Sequence, residues 1–132
     1  MSFIDAIKSG FKNYVNFQGR ATRSEYWWWA LFEILLMFIP AFLIGLGGGG
    51  SDSLATIGGL LYIVIGLGLL LPSLSVYIRR LHDTDHSGWW ILLGFIPVIG
   101  GIVLLVWTIM KGTNGPNKYG PDPLAPSVAS VF

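Results

Sequence analysis

The stretch Arg79-Arg80-Leu81-His82-Asp83-Thr84-Asp85-His86-Ser87-Gly88 is the most polar part of the chain. His82 and His86 are four apart, so one helical turn would place both imidazoles on one side, with Asp83 and Asp85 available as oxygen ligands or as partners of the rings. The specific metal signatures of this type sit on a sustained helix, whereas this segment is about ten residues long and closes on Ser-Gly. A hydrogen-bonded loop that holds the Arg pair is the preferred reading, with His82 and Asp83 as buried polar residues and no metal assigned. Asp85, His86 and Ser87 are the residue types of a hydrolase triad, but sequence neighbours do not readily assemble that geometry. No catalytic residue or cofactor is assigned, and the chain reads as a non-enzyme.

A second constellation is Arg20, Arg23 and Glu25. Two guanidiniums three residues apart on a helix face could grip one phosphate of a lipid headgroup, while the plainer reading is a charged anchor with an Arg-Glu pair. Glu33 is the third candidate, because it lies within an apolar run about 10 Å from its polar edge at 1.5 Å per residue. A carboxylate at that depth needs a partner or must be neutral. Arg79 or Arg80 is the expected partner.

The elements that carry these residues follow from composition. Of 132 residues, 53% are hydrophobic and 11% charged, against roughly 25% charged in an average soluble domain. Apolar runs at 26–46, 54–78 and 89–110 each reach the roughly 20 residues that cross a bilayer, and Glu33 is the only charge inside them. The fold class expected is an all-α integral membrane protein with three transmembrane helices. Pro40 and Pro72 lie inside two of the spans, where neighbouring helices can satisfy the freed carbonyls. The glycines of the second span, with Ala55 and Gly59 four apart, allow close helix approach. Gly45 to Gly50 spells a nucleotide-loop pattern, but no strand precedes it and the context excludes it.

Ahead of the spans, Phe3, Ile4, Ile7, Phe11, Tyr14 and Val15 share one arc of a helical wheel, with Asp5, Lys8, Ser9, Lys12 and Asn13 on the rest. This predicts an amphipathic helix over about 3–15, capped by Ser2, lying in the headgroup layer or against the bundle. Residues 112–123 are rich in Gly, Asn and Pro, hence turns, and 124–132 reads as a mobile tail. Residues 1–123 form one membrane domain. With three crossings, Lys and Arg divide six to two in favour of a cytoplasmic N-terminus and a periplasmic C-terminus. Trp107 would then mark the far interface. A re-entrant third span, broken at Pro97, Gly100 and Gly101, would instead return the C-terminal segment to the cytoplasmic side.

Phe17-Gln18-Gly19-Arg20-Ala21-Thr22-Arg23-Ser24-Glu25-Tyr26-Trp27, Arg79-Arg80-Leu81-His82-Asp83 with Ser87-Gly88-Trp89-Trp90, Pro97 with Gly100, and Gly115-Pro116-Asn117-Lys118-Tyr119-Gly120-Pro121-Asp122-Pro123 resemble the YhaH-like bacterial inner-membrane proteins, the family of domain of unknown function 805. The resemblance covers roughly residues 3 to 123. It implies a small inner-membrane protein of bacteria and no particular activity.

The functional expectation is a non-enzymatic module that binds anionic lipid headgroups or a membrane partner through Arg20, Arg23, Arg79 and Arg80. The alternative is an oligomeric small-solute transporter or channel with Glu33 facing the pathway. Membrane lipids, a second copy or a membrane-protein partner are the expected contacts. A formal charge of +1 gives no support for nucleic acid.

Overall fold

A computed structural model describes residues 2–47 and 52–124. Four α-helices and one 3-10 helix are present, with no strand among the described residues: α1 (Phe3–Lys12), α2 (Arg23–Gly47), α3 (Asp52–Asp83), the 3-10 helix Gly88–Phe95 and α4 (Ile99–Ile109). Two of them, α2 and α3, are long and apolar enough to cross a membrane. The most apolar 18-residue window of each is only 11% buried. That exposure separates them from the core helices of a soluble protein, since a water-facing surface of this extent would be an aggregation patch. The expected outer turn and tail fall largely at 48–51 and 125–132, outside the described residues.

Helices α2 and α3 pack on each other through small residues and a narrow aromatic core. A Cβ on Gly58 would lie 2.9 Å from the Pro40 carbonyl, and one on Gly47 would lie 2.3 Å from the Ala55 backbone. Gly58 and Gly47 therefore set the approach, whereas Gly59 faces open space. Nearer the charged end, Trp29, Leu69 and Val76 form the buried centre, with Phe32, Leu36 and Ile65 packed around it.

Helix α1 is shorter than expected, ending at Lys12. Its Ser2 hydroxyl accepts the Asp5 N–H, as an N-cap should. Ala6 and Gly10 let it settle on α2, where a Cβ on Gly10 would come within 2.2 Å of the Trp29 ring. Phe3 meets Trp28 edge-on, and Phe11 meets both Trp29 and Phe32. Part of the apolar arc thus packs on the bundle, while Ile4 and Val15 stay exposed.

The third apolar run is not one continuous helix. Eight residues of 3-10 helix cover about 16 Å at 2.0 Å per residue, and the eleven residues of α4 cover about 16 Å at 1.5 Å, against about 30 Å of hydrocarbon. Between them Val98 adopts φ 65°, ψ −63°, a γ-turn conformation that a β-branched residue rarely takes. The Ile99 N–H donates to the Pro97 carbonyl at 2.7 Å across this turn. The Gly100 backbone lies so close to the Leu93 carbonyl that a Cβ would be 1.6 Å from it. Pro97 and Gly100 together close the two short helices into a hairpin.

Candidate functional site: a buried guanidinium web

The C-terminus of α3 gathers the other segments. Ahead of α2, the 13–22 connection is held by Ser75, whose hydroxyl donates to the Asn13 and Asn16 carbonyls, and by the Ala21 N–H, which donates to the Arg79 carbonyl. Gly19, at φ 89°, turns its carbonyl to within 2.9 Å of His82 Nδ1. A side chain there would strain the backbone.

Asp83 is the pivot. Its Oδ1 accepts from Arg20 Nε at 2.9 Å, and its Oδ2 accepts from Arg80 Nη1. Arg20 then reaches the C-terminal segment, donating to the Thr113 and Gly115 carbonyls at 2.6 and 2.8 Å. Arg80 is fully buried and donates to the Thr108, Ala21 and Met110 carbonyls. Thr108 and Met110 lie in and just beyond the last turn of α4, where carbonyls lack intrahelical partners and carry negative partial charge. Arg80 therefore caps α4.

A second pair lies beside the first. Arg79 Nη1 donates to Glu25 Oε2 at 2.7 Å and Arg79 Nε to Ser75 Oγ at 3.2 Å, while the Ser9 hydroxyl holds Glu25 Oε1 at 2.7 Å. Glu25, in the first turn of α2, also sits where the helix dipole favours an anion. Three guanidiniums against two carboxylates leave one net positive charge in the web. Arg79 Nη2 is buried with no hydrogen-bond partner among the described residues.

The C-terminal segment is bound to this end. Thr113 N–H donates to the Asp83 carbonyl and Asn117 Nδ2 to the His82 carbonyl. Tyr119 stacks on the His82 ring at 4.0 Å. Gly112 presses on Asp83 so closely that a Cβ would be 2.0 Å from Oδ2. Asp122 accepts the Leu124 and Gly115 N–H groups, and these bonds, ahead of the charges of Arg20 and Lys111, hold its carboxyl below the ordinary range. His86 stacks on Trp107 at 3.9 Å, and burial lowers its pKa more strongly than Asp85 raises it.

Several expectations change. The 111–124 segment lies at the same end as Arg20 and Asp83, and Trp107, stacked on His86, belongs to that end as well. Glu33 does not reach Arg79 or Arg80, which are occupied by Glu25 and Asp83. Its partner is the Ser73 hydroxyl, which in turn accepts the Trp29 indole N–H at 3.0 Å. Arg20 and Arg23 do not share a helix face: Arg20 precedes α2 with its side chain 1% exposed, whereas Arg23 opens α2 and is exposed. His82 and His86 stack on different aromatics. Ser9, Ser75 and Ser73 carried no sequence signal, since a hydroxyl becomes informative only when its partner is known.

Two long apolar helices joined at one end by a polar clamp define a small helical membrane protein. The chain belongs to the family described as protein of unknown function, DUF805, whose model matches residues 14–121. It is 45% identical over 116 residues to the inner membrane protein YhaH of Escherichia coli strain K12, covering 85% of this chain and 90% of that one. Its identity to the inner membrane protein YhaI of the same strain is also 45%, over 115 residues, covering 87% and 92%. The uncharacterized protein YiiR of that strain is 27% identical over 132 residues, covering 81% and 85%. No solved structure matches the chain.

Proposed function

We propose that this protein is a non-enzymatic inner-membrane module that binds the phosphate of an anionic lipid headgroup at the start of α2. The observation that carries this reading is the division of labour among the arginines. The side chains of Arg20, Arg79 and Arg80 are buried on internal carboxylates and carbonyls, whereas Arg23 is exposed, pairs with no carboxylate among the described residues, donates to the Ile109 carbonyl at 3.4 Å and lines a cleft of ≈ 270 Å³ with Lys111, Thr22 and Ser24. Both cations stand over a web that already carries a net positive charge, and the adjoining acid, Asp83, is neutralised by two guanidiniums. A helix N-terminus flanked by two cations favours a phosphate.

The same reading fixes a topology. With the 89–110 run folded as a hairpin, all eight Lys and Arg residues fall at the clamp end of the molecule. The positive-inside rule then places that end, including residues 111–124, in the cytoplasm. The hairpin enters the bilayer from that side and returns, its tip residues Phe95, Val98 and Ile99 facing acyl chains.

Native mass spectrometry of the full chain in mild detergent tests the headgroup site. Phosphatidylglycerol or cardiolipin adducts on the unmodified protein should be lost in the Arg23→Gln, Lys111→Gln double variant, whose exposed positions leave the clamp intact. Equal adducts on both proteins would sink the reading.

A further inference from the structure

The other face of the clamp holds a second site. Between α3 and the 3-10 helix lies a cleft of ≈ 400 Å³, within the range of about 300–1,000 Å³ typical of small-molecule sites. Its walls are Leu74 and Ile78 from α3 and Trp89, Ile91 and Leu92 from the 3-10 helix. At its polar end are His82 and Ser87.

His82 is 8% exposed, and its orientation is fixed from two sides. Tyr119 stacks on the ring face, and Nδ1 is 2.9 Å from the Gly19 carbonyl oxygen. A carbonyl only accepts, so Nδ1 carries the proton and the neutral ring presents Nε2 as a lone-pair acceptor. Nε2 is turned toward Gly88, 3.6 Å from where a Cβ would stand, and has no hydrogen-bond partner among the described residues. Gly88 itself packs on Ile78, where a Cβ would stand 2.7 Å from Cγ2. The Ser87 oxygen accepts the Trp89 N–H at 3.4 Å, and its own hydroxyl proton is available to the cleft.

We infer that this cleft binds the hydroxyl end of a membrane-soluble long-chain alcohol. The polar pair dictates the ligand chemistry. A hydroxyl can both donate to His82 Nε2 and accept from Ser87, which line the same cleft, whereas an ether or ester oxygen only accepts and cannot satisfy Nε2. A phosphate or carboxylate would meet that lone pair unfavourably. The apolar walls take the first part of the chain, and the remainder passes Trp89 and Leu92, both exposed at the rim, into the bilayer. The site is separate from the one at the start of α2 and does not depend on it.

The test is photolabelling of the full chain in nanodiscs with a diazirine-bearing farnesol analogue and with its methyl ether, mapped by peptide mass spectrometry. The alcohol should label residues 74–92 at least five-fold more than the ether. Leu92→Trp, which fills the cleft from an exposed position, should abolish that labelling. His82→Phe keeps a stacking ring but removes the acceptor, so it should bring the alcohol down to the level of the ether. Should His82→Phe misfold, judged by loss of its thermal transition, the Leu92→Trp and ether comparisons decide alone. Equal labelling by alcohol and ether, or alcohol labelling unchanged in Leu92→Trp, would overturn the assignment.

Discussion

At the residue scale, the controlling fact is that each buried guanidinium of the web is held by a carboxylate, two of them sharing Asp83. Asp83 answers two guanidiniums, so its removal leaves Arg20 and Arg80 without their carboxylate in a dry environment. Breaking a buried pair from one side costs about 3–5 kcal/mol, while an exposed change away from such features stays within about 0.5 kcal/mol. Asp83→Ala should therefore lower the thermal midpoint in detergent far more than Arg23→Gln. Similar midpoints for the two would mean that the web is solvated. His86 gives a pH dependence of definite sign. Burial lowers its pKa below the ordinary 6.5, so on acidification the unfolded chain takes up a proton before the folded one does. The stability contributed by the neutral ring on Trp107 is complete above pH 6.5 and is lost as pH falls through the folded value. Between pH 8 and 5 the wild-type midpoint should fall more steeply than that of His86→Gln, and parallel curves would contradict this.

Elements are joined here by close backbone approaches as well as by charge. Gly10 admits the Trp29 ring between α1 and α2, and Gly100 admits the Leu93 carbonyl between the two arms of the hairpin. The first contact lets a short amphipathic helix stay on the bundle, since an isolated helix of ten residues is marginal in water. The second sets the path of the C-terminal third of the chain. Gly100→Ala places a methyl against a carbonyl that cannot rotate away like a side chain. Overpacking of this kind costs about 1–3 kcal/mol or more, and it should open the hairpin. Faster proteolysis at Lys111 and Lys118 in the variant is the expected result. Unaltered cleavage would show that the arms are not held by this contact. Part of this scale was legible in advance: the apolar runs located α2 and α3 and the wheel located α1, whereas 89–110 read as a third spanning helix, with a break at Pro97, Gly100 and Gly101 only as the alternative. Gly58 was not distinguished from Gly59, because only packing against Pro40 and Ile44 separates them.

For the whole molecule the clamp joins segments that are far apart in sequence. Arg20 ties the segment before α2 to Asp83, Thr113 and Gly115, so the N-terminal connection and residues 111–124 meet at one end of the molecule, which under the proposed topology is the cytoplasmic one. A reporter fused after Phe132 should fluoresce if it requires the cytoplasm, and a periplasm-dependent phosphatase at the same point should be silent. The reverse pattern would restore three full crossings and with them the six-to-two charge division.

Sequence alone was enough for what depends on composition: an all-helical membrane protein with apolar runs over α2 and α3; the third run, read as a further span, is two short helices. Those properties arise from transfer of side chains between water and lipid, which is additive along a chain. The tertiary structure decided everything that depends on pairing. It matched Glu25 to Arg79 across 54 residues, Arg20 to Asp83 across 63 and Glu33 to Ser73, and it turned three arginines from a lipid-facing patch into an internal clamp. Hydrogen bonds and ion pairs are short-ranged and directional, so residue type and spacing state which bonds a side chain can make, and only the folded geometry selects the partner.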